Sequence, residues 1–300
     1  MKCLLTIGFF DGVHRGHAAL LSEAAKKAAE AGLSPAVLTF EGLGGVKRAE
    51  ELNLPADRDL LIRRILPCAE IISLSLDREL RSVPAEKFFS DWILGRFGAG
   101  YLVVGENFTF GSDRKDAGTL LSLAEENGVR CDVLPLLADG EGTVSSSRIR
   151  ALLHAGAIPE ANALLGHAHL FRGVVVPGRQ VGRTLGFPTA NLSYPPSLVS
   201  LPLGVYAAYA VLPDQSVFPA VLNLGRRPTF DAGDGIFLEA HLPGFRGDLY
   251  GKLLEIRFVK MLRPEKRFSS PEELRAAVEK DKFAAAEILG RREDAERRNT

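Results

Sequence analysis

Along the first half of the chain, short apolar runs alternate with longer stretches whose apolar residues recur at helical spacing. Leu4–Phe10, Ala36–Phe40, Glu70–Leu74, Tyr101–Val104 and Val129–Leu134 are of strand length and rich in Val, Ile, Leu and Phe. Between them Ala18–Ala31, Asp57–Leu66, Pro84–Phe97 and Ala117–Asn127 are built from good helix formers. Such alternation predicts an α/β domain, a parallel sheet with helices on both faces. Ligands of such sheets bind beyond the carboxyl ends of the strands. Past about residue 160 the pattern changes. Leu170–Val176, Val205–Leu212, Val217–Leu222, Ile236–Leu242 and Leu253–Phe258 follow one another, broken by Gly and Pro, as in a small antiparallel β-barrel. A single C-terminal helix, Ser270 to Leu289, follows, with Ser270 as N-cap, Pro271 at the first helical position and Glu273 completing a capping box. Two domains are expected, 1–160 and 161–300.

Composition narrows the classes. Of 300 residues, 46% are hydrophobic and 25% charged, as in a globular protein with room for two cores. Thirty-seven basic residues balance 37 acidic ones, so neither a nucleic-acid partner nor a membrane surface is indicated. Cys3, Cys68 and Cys131 stand far apart, with neither metal-ligand spacing nor a disulfide pattern, which fits a reducing cytoplasm. The start of the chain has no long apolar h-region and no run reaches membrane-spanning length, so no targeting or membrane segment is expected. The end, Arg291 to Thr300, is almost wholly polar and is expected to fray.

The candidate chemistry begins after the first strand, in Gly8-Phe9-Phe10-Asp11-Gly12-Val13-His14-Arg15-Gly16-His17. A strand-to-helix turn presents backbone N–H groups and a helix N-terminus to an anion. His14 and His17, three residues apart, can face one phosphate group as hydrogen-bond donors. Neither G-x-x-x-x-G-K-[ST] nor G-x-G-x-x-G occurs in this turn, so it is not a P-loop or a dinucleotide fingerprint. The fourth strand ends in Gly105-Glu106-Asn107-Phe108-Thr109-Phe110-Gly111, where Asn107 offers a donor and an acceptor. Ser145-Ser146-Ser147 precede a helical pattern and can cap it or bind phosphate. Arg150 can take a phosphate in bidentate fashion. His154, His167 and His169 lack metal-ligand company and read as surface or linker residues.

The His-x-Gly-His turn resembles the nucleotidyltransferase signature. Together with Gly-Phe-Phe-Asp-Gly-Val, the Asn107 segment and the serine turn, it resembles the adenylyltransferase half of the bacterial bifunctional riboflavin kinase/FAD synthetase family. One departure stands out: where that family carries Pro-His-Pro after the second strand, this chain reads Gly42-Leu43-Gly44. The second half continues the resemblance. Gly182-Arg183-Thr184-Leu185-Gly186-Phe187-Pro188-Thr189-Ala190-Asn191 is similar to the riboflavin kinase motif, with Thr189 and Asn191 as hard oxygen donors for Mg²⁺. Gly204-Val205-Tyr206 and the Asn223 segment, Asn223-Leu224-Gly225-Arg226-Arg227-Pro228-Thr229, match as well, and Tyr206 reads equally as pocket lining or barrel core. Glu239, ahead of Gly247-Asp248-Leu249-Tyr250-Gly251, falls on the family's catalytic base, and Arg263 on an arginine placed near the flavin phosphate.

The resemblance implies a Rossmann-like nucleotidyltransferase domain followed by a riboflavin kinase barrel. It implies riboflavin, FMN and ATP as substrates, FAD as the final product, Mg²⁺ as cofactor, and a monomer or weak homo-oligomer. Gly8, Phe9, Asp11 and Gly12 join His14, His17, Asn107, the three serines and Arg150 in the adenylyltransferase site. Gly182, Gly186, Phe187, Pro188, Thr189, Asn191, Gly204, Tyr206, Asn223, Glu239 and Arg263 make up the kinase site. The alternatives are a riboflavin kinase with a weakened adenylyltransferase half, motivated by the Gly42-Leu43-Gly44 loop, and a non-catalytic flavin-binding regulator.

Overall fold

The computed structural model describes residues 2–41, 50–178, 188–227 and 235–298. Contacts divide the chain into two compact units, Met1–Ala49 with Pro55–Ser146, and Glu50–Leu54 with Ser147–Thr300.

In the first unit five strands, β1 (Cys3–Ile7), β2 (Ser34–Glu41), β3 (Glu70–Ser75), β4 (Ala99–Gly105) and β7 (Arg130–Leu134), form a wholly parallel sheet in the order β3-β2-β1-β4-β7. The two-residue ladders β5 (Thr109–Phe110) with β6 (Lys115–Asp116), and β8 (Ala138–Asp139) with β9 (Gly142–Thr143), decorate it. Helices α1 (Arg15–Ala31), α2 (Pro55–Ile65), α3 (Arg78–Ser82) and α5 (Ala117–Glu126) lie where the periodicity predicts helix, apart from the short α3. The Pro84–Phe97 stretch is helical too, but only α4 (Ala85–Lys87) is α-helical; Phe88–Arg96 continues as a π-helix. Gly111, at φ 74°, fits tightly there: a Cβ on it would lie 2.3 Å from the Ala85 nitrogen. Phe88, Phe89, Ile93, Leu102, Val104 and Leu120 share a core with Leu5 and Ile7.

The strand order fixes the place for a ligand. The chain steps from β1 outward to β3, then returns to the far side of β1 as β4. At that reversal the connections leaving β1 and β4 diverge, opening a crevice at their carboxyl ends. The predicted first strand extended to Phe10, yet β1 stops at Ile7. The backbone leaves extended geometry because Phe10 (φ 51°), Gly12 (φ 83°) and Val13 (φ 39°) all adopt positive φ.

In the second unit β10 (Leu170–Val174), β11 (Thr189–Ser193), β12 (Gly204–Val211), β13 (Val217–Arg227), β14 (Gly235–His241) and β15 (Leu253–Pro264) form an antiparallel sheet in the order β10-β15-β12-β13-β14-β11. A bridge from Val176, just past β10, to Asn191 on β11 nearly closes it into a barrel. The interior is filled by Tyr206, Phe258, Phe171, Leu222, Leu224 and Leu238. Helices α6 (Ser146–His154) and α7 (Ile158–Leu165) precede the barrel. The last helix, α8 (Pro271–Arg298), packs Ala285 and Leu289 on Val205, Ala207, Val221 and Val259. Its start follows the capping pattern, with the Glu273 amide donating to Ser270 Oγ at 3.1 Å. The carboxylate of Glu273 accepts from the Ser269 amide at 3.0 Å, one residue earlier than a strict capping box.

Three expectations change. Thr189–Ser193 lies outside the expected strands and is strand β11. Its Thr-Ala-Asn-Leu alternation sends Ala190 and Leu192 inward, which a barrel strand needs. The last polar stretch remains helical to Arg298. His169 is a buried core residue, 1% exposed, against Phe258 rather than in a surface linker.

Candidate active sites

The turn after β1 holds the first site. His14 is the N-cap of α1, and its Nδ1 accepts from the His17 amide at 3.4 Å. The imidazoles of His14 and His17 stack, centroids 3.7 Å apart and 16° from parallel. With Nδ1 accepting, the proton of a neutral His14 ring sits on Nε2. Burial pushes the His17 imidazole well below its usual range, and the neighbouring His14 pushes it the same way. His17 is thus a neutral donor rather than a cation before any ligand arrives. Its Nδ1 is buried with no hydrogen-bond partner among the described residues. A lone buried polar atom costs about 1–3 kcal/mol. Gly16 leaves room for the stack, since a Cβ there would lie 3.2 Å from the His14 ring.

Neighbouring elements pin this turn. Ser146 Oγ donates to the Asp11 carbonyl at 2.8 Å, tying the start of α6 to the turn. Thr39 Oγ1 donates to the Phe9 carbonyl at 3.2 Å, and the Gly8 amide bonds Leu38 of β2 at 3.0 Å. Phe10 is fully buried against His17, while Phe9 is exposed and pairs with Phe40 at 5.4 Å. A β-branched residue at positive φ, as at Val13, carries strain of order 1–3 kcal/mol, which surrounding contacts must hold. Asp11 is buried inside the turn. Asn107 is exposed in the turn that leaves β4, the strand beside β1. Ser145 is half-buried and Ser147 exposed at the start of α6. Arg150 counts with the second unit, where its Nε donates to the Glu50 carbonyl at 2.8 Å. Gly42, Leu43 and Gly44 lie outside the described residues.

The second site is a row across the barrel. Pairing sets Asn191 opposite Glu239, Glu239 opposite Asn223, Asn223 opposite Val205, and Val205 opposite Arg263. Directly opposed residues point to one face with Cβ atoms about 4.5–5.5 Å apart. Val205 packs on α8, so this is the outer, helix-covered face of the barrel. One step along the strands lies a second row, Thr189 opposite His241 and His241 opposite Val221. Four motif residues separated by as much as 72 positions in sequence, Asn191 to Arg263, thereby meet on one surface.

Each strand supplies alternate residues. Leu222 and Leu224 point inward around Asn223, and Leu238 and Ala240 around Glu239. Asn191 is 4% exposed, and its Nδ2 donates to the Thr189 carbonyl at 3.4 Å. The backbone of Gly178 lies against its amide. Arg263 is engaged elsewhere: Nε and Nη2 both donate to Asp281 of α8, at 3.0 and 2.8 Å, and its guanidinium carbon lies 5.6 Å from the centre of the Phe268 ring.

Two of the expected kinase-site residues are packed tightly in the barrel. Tyr206 is fully buried inside the barrel, edge-on to Phe258, with its hydroxyl on the Pro202 carbonyl, so it is core and not pocket lining. Gly204 serves strand packing, since a Cβ there would lie 2.4 Å from the Arg263 carbonyl oxygen. Pro188 is exposed at the entry to β11. Gly182, Gly186 and Phe187 lie outside the described residues. Sequence reasoning missed Gly178 and Asp281. Asp281 hides in Lys280-Asp281-Lys282, which reads as a solvated run. Its spacing from Ala285 and Leu289 was the available signal, because positions four apart share a helix face.

Comparison with known proteins assigns both halves. An FAD synthetase family model matches residues 1–148, and a riboflavin kinase model matches residues 165–289. The bifunctional riboflavin kinase/FMN adenylyltransferase of Escherichia coli K12 is 35% identical over 294 residues, 96% of this chain and 93% of its own. The protein of the same name from Bacillus subtilis is 32% identical over 95% of this chain and 92% of its own. A crystal structure titled macrolide-efflux protein from Streptococcus pneumoniae superposes with a TM-score of 0.84 at 29% identity, covering 95% of this chain and 93% of its own. Among the described residues of this chain, no helix is long and apolar enough to cross a membrane. The presence of both domains favours the bifunctional reading over a lone kinase. The chain belongs to the bifunctional riboflavin kinase/FMN adenylyltransferase family.

Proposed function

We propose that this chain carries out two ATP-dependent steps of flavin-cofactor synthesis, phosphorylation of riboflavin to FMN in the barrel unit and adenylylation of FMN to FAD in the sheet unit. The observation that carries the reading is the row Asn191–Glu239–Asn223, a carboxylate flanked by two amides on the outer face of the barrel.

In the barrel unit Glu239 takes the proton of the ribityl 5′-hydroxyl as that oxygen attacks the γ-phosphorus of ATP. Asn223 orients the hydroxyl from the other side of the carboxylate. Thr189 and Asn191 are the residues that would hold Mg²⁺ together with nucleotide phosphates; the donor set, one hydroxyl and one amide beside one carboxylate, consists of hard oxygens and fits. Bound there, the ion supplies neutralisation of phosphate charge. Arg263 contributes through α8, which it fixes beside the row by its pair with Asp281.

In the sheet unit a phosphate oxygen of FMN attacks the α-phosphorus of ATP, and pyrophosphate leaves. His14 and His17 donate hydrogen bonds to the phosphates, with the amides of Phe9 and Gly12 and the N-terminus of α1 around them, while Gly8 fixes the turn to β2 through its own amide. Asn107, Ser145 and Ser146 add phosphate contacts, and Asp11 holds the turn. Three free cysteines suit a cytoplasmic enzyme, working as a monomer or weak homo-oligomer.

The test is product analysis by chromatography. Glu239→Gln should lower FMN formation from riboflavin by about 10²–10⁴-fold and leave FAD formation from supplied FMN intact. His17→Ala should do the reverse. A folded variant in which either change stops both reactions would refute the two-site assignment, as would wild-type protein that makes neither product.

A further inference from the structure

His241 has no part in the chemistry above, yet it ends the strand that carries Glu239. It lies two residues from that carboxylate on the same face, directly opposite Thr189. Its Nδ1 is 3.0 Å from the Pro188 carbonyl oxygen. A carbonyl can only accept, so Nδ1 carries the proton and donates. The Pro188 carbonyl and the Thr189 amide belong to one planar peptide. Holding that oxygen fixes the orientation of the peptide from which Thr189 enters β11. Pro188 itself has no N–H with which to join the sheet, so its carbonyl is the group by which this corner can be tied.

We propose that His241 is a positioning residue of the kinase half. Its Nδ1–H clasps the Pro188 carbonyl and so sets the Thr189 hydroxyl on the Glu239 face, where the nucleotide phosphates and their divalent cation are gripped. The inference rests on the kinase reading of that face. It separates two roles for neighbours on one strand: Glu239 acts on the reacting oxygen, and His241 acts on the grip. Losing the clasp should therefore weaken the hold on ATP and magnesium more than it slows turnover.

The experiment compares His241→Ala, His241→Asn and His241→Gln in the full-length protein. An Asn amide can place a donor where Nδ1 was; a Gln amide places it nearer the position of Nε2. Steady-state FMN formation is measured against ATP and against Mg²⁺, with FAD formation from FMN as the internal control. The expected result for His241→Ala is a KM for ATP raised about ten-fold with kcat within about two-fold of wild type, and unchanged FAD formation. His241→Asn should recover most of the loss and His241→Gln little of it. Should the alanine variant not fold, the Asn-against-Gln contrast decides alone. Equal kinetics for Asn and Gln, or a fall in kcat with KM unchanged, would overturn the inference. Wild-type protein that makes no FMN would overturn it together with the kinase reading, whereas active wild type with indifferent variants overturns it alone.

Discussion

Gly178→Ala isolates the geometry of the kinase row without touching a proposed ligand. A Cβ built on Gly178 would lie 2.3 Å from Nδ2, 2.5 Å from Cγ and 2.7 Å from Oδ1 of Asn191. Unbonded heavy atoms settle at about 3.5–4 Å, so the amide must retreat by about 1 Å. No small rotation suffices, because all three amide atoms are within the contact distance. Overpacking of this kind costs about 1–3 kcal/mol, partly offset by about 0.4–1 kcal/mol from stiffening the unfolded chain. The fold should survive a net loss of that size. The kinase should suffer more. A misplacement of about 1 Å in a positioning group can lower the rate by about 10²-fold, equivalent to about 2.7 kcal/mol of transition-state stabilisation. The assay is FMN formation from riboflavin over a range of ATP and Mg²⁺, beside FAD formation from FMN and a thermal melt. The expected outcome is kinase kcat/KM down by about 10²-fold with the adenylyltransferase unchanged. Kinase kinetics equal to wild type would refute the reasoning, since they would mean that the Asn191 amide is not required where the structure puts it.

Other predictions follow from buried charge and buried imidazole. Asp281→Ala leaves Arg263 without its carboxylate; because that arginine side chain is 26% exposed, the full penalty of a broken buried pair is discounted to about 2 kcal/mol, read as a lower denaturant midpoint with unchanged m-value. The same change should loosen α8 and weaken FMN formation while leaving FAD formation in place. Burial, with a smaller push from His167, lowers the His169 imidazole from 6.5 to about 3. Between those values the unfolded chain holds a proton that the folded chain lacks, so this contribution to stability is complete above about 6.5 and falls on acidification, by at most about 1.4 kcal/mol per pH unit. His169→Phe should flatten that slope, measured as urea midpoints at about pH 5 and about pH 7.5. An unchanged slope would show that another group, such as His17, dominates it.

Much of the fold was legible because each half has its own period. All five predicted strands of the first half became the parallel sheet, each within a few residues of its expected place. In Leu222-Asn223-Leu224 and Leu238-Glu239-Ala240, apolar and polar residues alternate as a half-buried strand demands. Thr189–Ser193 is hard to see as a strand because three of its five residues are polar and a proline precedes it, although Ala190 and Leu192 mark the inward face. Phe10 and Val13 hid the early end of β1: an apolar run gives no warning of positive φ in residues that ordinarily avoid it. Tyr206 could not be assigned from its own position, since only the direction of its strand decided between barrel interior and outer face.

The sequence by itself determined two domains, their architectures, and the residue types able to handle phosphate, because hydrophobic period and local motif are properties of neighbouring residues. Tertiary structure alone decided which of those residues meet. Asn191, Asn223, Glu239 and Arg263 fall on one row because strand register aligns them, and register is set by pairing across the whole barrel. It also decided that Arg263 answers to Asp281 and that His241 holds Pro188, since neither bond joins near neighbours in the chain.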